Sequence, residues 1–189
     1  MKHNRKSILR IGKDTVVYDG HYMQAVRREF FNTRTRKSGV WEMVRRKTHG
    51  CIVAIAALTP DRRIVLTRIY RVPQKSWIIE APAGLADRKG ESEENLARRE
   101  LLEETGYAVR RMRELTHGVI NAGITDDRMV YFLGIGAQKV QEPQLEDGED
   151  MDVFTVPLNR LEWLLKHPPD GARIDLKLFG LPLLLKRYL

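Results

Sequence analysis

The sequence predicts an α+β fold, a mixed β-sheet packed with helices, and three observations predict it. Two segments rich in β-branched residues, 51–58 and 63–70, flank a Thr59-Pro60-Asp61-Arg62 turn. One segment, 92–105, carries helical periodicity with an N-cap at one end and a glycine at the other. Strands precede and follow helices without the regular alternation of a doubly wound sheet. The 189 residues, 42% hydrophobic and 31% charged, suit one soluble globular domain with elaborations rather than a disordered chain.

Taken in order, residues 1–48 form a β-rich extension, with strand-like stretches at 15–18 and 23–31 and turn signals at Asp19-Gly20 and Ser38-Gly39. Residues 49–189 form the main domain. After the hairpin of 51–70, a short strand at 77–81 closes on Pro82-Ala83-Gly84. Ser92 then caps a helix in which Glu93 and Glu94 complement the dipole, and Gly106 supplies the C′ turn. Further strands are expected at 130–135 and 153–156. Helices follow at 158–165 and at 175–189, the second interrupted near Gly180 and Pro182.

Composition excludes several classes. The single cysteine, Cys51, lies in an apolar run, which rules out a zinc ribbon, a CxxC redox site and a disulfide scaffold. The basic start, Met1-Lys-His-Asn-Arg-Lys-Ser7, leads into no apolar run, so no secretory signal and no membrane span are expected, and the default is cytoplasmic. A formal charge of +8 favours anionic partners, from phosphorylated metabolites to nucleic acid. The basic residues are scattered, and clusters such as Arg34 to Lys37 are ordinary solvated faces more often than nucleic-acid tracks.

The chemistry sits on the helix. Glu100, Glu103 and Glu104 are three and four residues apart and therefore share a face. Such carboxylates repel one another unless a cation neutralises them. The plain alternative is an exposed acidic stripe paired with Arg98 and Arg99. Against it, Leu96, Leu101 and Leu102 are few for a wide buried face, and a glycine-bearing loop precedes the stripe. Carboxylates with a backbone oxygen are hard ligands suited to Mg²⁺ or Mn²⁺, and such clusters commonly serve phosphoryl chemistry.

At these residues the sequence resembles the Nudix hydrolases, whose signature is G-x5-E-x7-R-E-U-x-E-E-x-G-U with U apolar. From Glu91 onward the match is complete: Arg99-Glu100-Leu101, Glu103-Glu104 and Gly106, with Tyr107 in the last apolar slot. Gly84 and Glu91 are separated by six residues rather than five. The resemblance implies an α/β/α sandwich with a mixed β-sheet. It further implies metal ligation by Glu100 and Glu104, with Glu103 assisting and the Ala83 carbonyl as a backbone ligand, and an Arg99–Glu91 ion pair that orients the helix.

Other blocks are similar to the ADP-ribose and nucleoside-diphosphate-sugar pyrophosphatase branch: Glu80-Ala-Pro-Ala-Gly-Leu-Ala-Asp87, Tyr70-Arg71-Val-Pro73 and Trp41-Glu42-Met-Val-Arg45-Arg46. The resemblance implies that Trp41, Glu42, Arg46, Arg71 and Glu80 bind substrate, and that an acidic residue of the loop 142–152, Glu149 or Glu146, activates water. Asp127 stands where the branch usually has a glutamate. The expected activity is Mg²⁺-dependent hydrolysis of ADP-ribose or a related nucleotide sugar by a homodimer, with exchange of the N-terminal extension. Pyrophosphohydrolysis of RNA 5′ ends and non-catalytic nucleotide sensing are the alternatives.

Overall fold

The computed structural model describes residues 6–48 and 50–188; the basic start of the chain, 1–5, lies outside them, as do residues 49 and 189. Two compact units emerge: Met1–Thr48 with Val119–Arg128, and His49–Gly118 with Met129–Leu189. A single boundary after residue 48 therefore misses the excursion of 119–128 into the first unit.

The first unit is an antiparallel meander of β1 (Leu9–Asp19), β2 (Met23–Asn32) and β3 (Lys37–Arg46). The β1–β2 turn forms at Asp19-Gly20 as expected, closed by Gly20 N–H donating to the Met23 carbonyl at 2.9 Å. The β2–β3 turn does not form at Ser38-Gly39. The Asn32 side chain accepts from Arg34 N–H and Thr35 N–H at 3.0 and 3.1 Å, an Asx turn that reverses the chain four residues earlier. Arg36 completes that turn with φ 60°. Gly39 lies inside β3 opposite Phe30, where a Cβ would fall 2.4 Å from the ring's Cζ. That glycine makes room for an aromatic ring. Asp14 ties the strands together, accepting from Arg28 and Arg45 at 2.7 Å each. Segment 119–128 runs beside β3, with Val44 N–H donating to the Ile124 carbonyl at 2.8 Å.

The second unit is built on an eight-stranded mixed sheet. Its strands are β4 (Ile52–Leu58), β5 (Arg63–Arg71), β6 (Ser76–Glu80), β7 (Ala83–Leu85), β9 (Arg111–Val119), β10 (Arg128–Ile135), β12 (Met151–Pro157) and β13 (Arg173–Ile174). A short ladder of β8 (Tyr107–Ala108) and β11 (Gln138–Lys139) stands apart. Strand β4 pairs in parallel with β10 along its length, and both its faces are covered. Val53, Ile55 and Ala57 pack with Leu96, Ala97 and Leu101 of α1 (Glu93–Thr105). Ala54, Ala56 and Leu58 pack with α2 (Leu161–Lys166), α3 (Leu181–Leu184) and the short 3₁₀ turns around them. The result is the α/β/α sandwich. Leu161, Leu181 and Leu185 are at most 1% exposed, and burying each contributes about 1.5–3 kcal/mol.

The expected helix at 158–165 divides into a 3₁₀ turn, Leu158–Arg160, followed by α2. The expected C-terminal helix is three short pieces, because Gly180 and Pro182 break it near its middle. Among the described residues, no helix is long and apolar enough to cross a membrane.

Candidate active site

Helix α1 begins and ends as its sequence dictates. Ser92 Oγ accepts from Asn95 N–H at 3.2 Å, and Gly106 turns the chain with φ 73°. Buried Leu96, Ala97 and Leu101 fix the helix on the sheet, and that docking carries Glu104 to a position only 8% exposed.

The loop between β6 and α1 meets this face closely. Ala83 N–H donates to Glu104 at 3.0 Å. A Cβ on Gly84 would fall 2.0 Å from Glu100 Cδ, so the Glu100 side chain lies directly against the glycine backbone. Burial pushes the Glu104 carboxyl up to about 8; the Ala83 N–H opposes this, while the charges of Glu100 and Glu149 add to it. Burial likewise raises Glu100 to about 7, against the pull of Arg99.

Arg99 is the hub of the helix face. Its guanidinium reaches Asp87 at 2.6 Å, Glu103 at 2.8 Å, Glu100 at 2.9 Å and Glu91 at 3.1 Å. The Arg99–Glu91 pair is the one that the sequence implied; Asp87 and Glu103 complete it. Arg88 approaches Glu103 at 3.7 Å. Asp87 and Arg88 went unassigned in the sequence, although Asp87 closes the quoted Glu80-to-Asp87 block.

The acidic loop is attached to this helix by its backbone. Gln141 N–H and Gln144 N–H donate to the carbonyls of Gly106 and Glu103, and Tyr70 N–H donates to Asp150. These bonds hang Glu149 between the end of β5 and α1, where its charge acts on both Glu104 and Arg71. Glu146 lends its N–H to the Glu149 carboxylate at 3.0 Å. Arg71 donates to the buried Glu80 at 2.8 Å. Burial works against its charge, but Glu80, Glu104 and Glu149 outweigh burial and raise its pKa.

Six of the expected residues thus gather with Ala83 and Glu146 in the second unit: Arg71, Glu80, Glu100, Glu103, Glu104 and Glu149. Trp41, Glu42 and Arg46 belong to the first unit. There the Trp41 indole N–H donates to the Gly123 carbonyl at 2.8 Å, and its exposed ring lines an open concavity of about 570 Å³ with Arg27, Val40, Glu42 and Ile124. Glu42 is paired with Arg27 and Arg46 with Asp127, each at 3.1 Å. Among the described residues, no group of three or more His, Cys, Asp or Glu side chains is already arranged to hold an ion.

The model of the NUDIX domain matches residues 48–178, which contain the whole carboxylate face and its loop. The chain belongs to the Nudix hydrolase family. It is 33% identical over 111 residues to the ADP-ribose pyrophosphatase of Bacillus subtilis (strain 168), a match covering 58% of this chain and 60% of that protein. It is 31% identical over 170 residues to the ADP-sugar pyrophosphatase of Mus musculus, covering 80% of this chain and 76% of that one. The crystal structure of an ADP compounds hydrolase superposes with a TM-score of 0.79 at 20% identity, covering 98% and 97% of the two chains, and bears out the α+β Nudix fold. Nudix hydrolases generally use divalent metal ions.

Proposed function

We propose that this Nudix hydrolase cleaves the pyrophosphate bond of ADP-ribose or a related nucleoside-diphosphate sugar, with Mg²⁺ or Mn²⁺, giving a nucleoside monophosphate and a sugar phosphate. One observation carries the proposal. Glu104 is buried beside Glu100 and Glu149, and the Ala83 N–H and the charge of Arg71 offset that burial and repulsion only in part. Such a group is stable as a charge only with a cation close by. Glu100, Glu104 and the Ala83 carbonyl form an all-oxygen donor set that fits a hard dication, with Glu103 assisting through water. A divalent ion there supplies neutralisation of pyrophosphate oxygens and acidification of the attacking water.

The chain's own groups do the rest. Glu149 takes the proton of the attacking water, a role supported by its position between Arg71 and Glu104; Glu146 holds the Glu149 carboxylate in place through its N–H. Arg71 presents its planar donors to a phosphate or ribose, and Glu80 fixes their direction. Hydrolysis at phosphorus needs little covalent chemistry from protein, so this positioning and charge balance set the rate. The relatives' names, ADP-ribose and ADP-sugar pyrophosphatase, support the substrate class. The same reading makes the protein a homodimer, supported by the exposed apolar side chains of Ile11, Val17 and Tyr18 on β1.

The test is Glu104→Gln. Turnover of ADP-ribose should fall by about 10²–10³-fold, the scale of removing one preorganised electrostatic contact. In chelator the variant should melt no lower than the parent, because burial already favours the neutral carboxyl and the glutamine amide oxygen can still accept from Ala83 N–H. Near-parental turnover by the folded variant would remove Glu104 from the metal site.

A further inference from the structure

Within the first unit, cations divide into two populations. In the body of the sheet nearly every one is neutralised: Arg27 by Glu42, Arg28 and Arg45 by Asp14, Arg46 by Asp127, and Lys47 by Asp19. At the end of the sheet where β2 turns into β3 the pattern stops. Arg34 and Arg36 lie in the turn and Lys37 opens β3, while on β1 Arg10 stands opposite Phe31. All four are exposed, and among the described residues none of them forms an ion pair. No Asp or Glu occurs anywhere in 6–13 or 30–41.

The turn geometry holds this charge in place. Asn32 accepts from two turn N–H groups, and Thr33 N–H and Oγ1–H both donate to the Ile8 carbonyl at 2.9 Å, binding the turn to the start of β1. The Arg36 guanidinium lies 5.8 Å over the half-buried Phe31 ring, and Arg10 is the residue opposite Phe31 in the β1–β2 register. Holding uncompensated cations together costs self-repulsion that an anionic partner relieves.

We propose that this end of the sheet docks the phosphate backbone of a single-stranded nucleic acid. Three of the four cations are arginines, whose donor forks suit phosphate, and Phe31 offers a surface for a base. An anionic lipid surface fits less well, because the turn itself, Thr33-Arg34-Thr35-Arg36-Lys37-Ser38, carries no apolar side chain to enter lipid. The surface shares no residue with those to which hydrolysis is assigned, and the two readings stand or fall independently.

The test is fluorescence anisotropy of a 20-nucleotide RNA, a DNA strand of equal length, and vesicles of phosphatidylcholine with phosphatidylserine. Four phosphate contacts give a log–log salt slope of about −3, hence roughly a 50-fold loss of affinity between 50 and 200 mM salt. Both strands should bind alike, since backbone phosphates are common to both. The variant Arg34→Gln/Arg36→Asn/Lys37→Gln should flatten the slope by about 2 and weaken binding at least tenfold; asparagine tolerates the positive φ at 36. Arg10→Gln, on a different strand, should flatten it by a further 0.7 or so. Turnover of ADP-ribose by these variants should match the parent. Absence of strand binding at 50 mM salt, an unchanged slope in the triple variant, strong preference for one strand type, or binding to the vesicles alone would each overturn the proposal.

Discussion

Gly84→Ala is the sharpest probe of the carboxylate face. A Cβ at this position would lie 2.0 Å from Glu100 Cδ, 2.2 Å from Cγ and 2.5 Å from Oε1. Carbon atoms in contact sit about 3.5 Å apart, so the Glu100 side chain must retreat by about 1.5 Å. It is flexible enough to do so, and the expected stability cost is that of modest overpacking, about 1–3 kcal/mol, which a domain stable by about 5–15 kcal/mol survives. The activity cost is larger. A displacement of about 1 Å in a positioned group can cost 10²-fold, equivalent to about 2.7 kcal/mol in the barrier. Turnover of ADP-ribose with Mg²⁺, followed by phosphatase-coupled phosphate release, should therefore drop at least about 10²-fold while the melting curve remains cooperative. A folded variant with parental turnover would show that Glu100 need not rest against this backbone for catalysis.

Three other perturbations test separate links. Gly106→Ala combines φ 73° with a Cβ 2.0 Å from the Gln141 carbonyl oxygen, so urea unfolding should show a loss above about 2 kcal/mol; less than 1 kcal/mol would mean that the loop yields freely. The two arginines hydrogen-bonded to Asp14 hold its carboxyl below the usual carboxylate range. Its stabilisation is therefore complete above the unfolded value of about 3.9 and lost as pH falls through the lower folded value. Asp14→Asn should lower the melting temperature at pH 7, and its deficit should shrink only below about pH 4; a deficit constant down to pH 2 would contradict the assignment. Treatment with EDTA should abolish hydrolysis, and Mg²⁺ or Mn²⁺ should raise the melting temperature in a concentration-dependent way; a melting curve indifferent to both ions would speak against the donor set.

Much of the site was legible in the sequence because the helix that carries it is locally encoded. Ser92, the Glu93-Glu94 pair and Gly106 act on their own turns, and the spacing of Glu100, Glu103 and Glu104 fixes a common face without reference to the rest of the chain. The burial of Glu104 was not legible, since it depends on how α1 docks against β4 and β7. Gly39 misled because glycine serves both turns and close approach; only the register against Phe30 tells which. Strand β9 escaped notice because Arg111-Met-Arg-Glu-Leu-Thr-His-Gly-Val buries only Met112 fully and lacks an apolar alternation. The return of 119–128 to β3 rests on pairing across some eighty residues, such as Arg45 with Asp126, which no local pattern records.

Arg99 also limits what evolution or engineering can do at its position. Its Nε, Nη1 and Nη2 atoms all engage carboxylates, one branch serving Glu91, another Glu100 with Glu103, and Nη2 also reaching Asp87. A lysine keeps the charge but delivers it as a point with three donors, unable to span anions spread around a planar fork. A swap that substitution tables score as mild would release several acidic groups at once, and the helix would lose the latch that closes it onto its preceding loop.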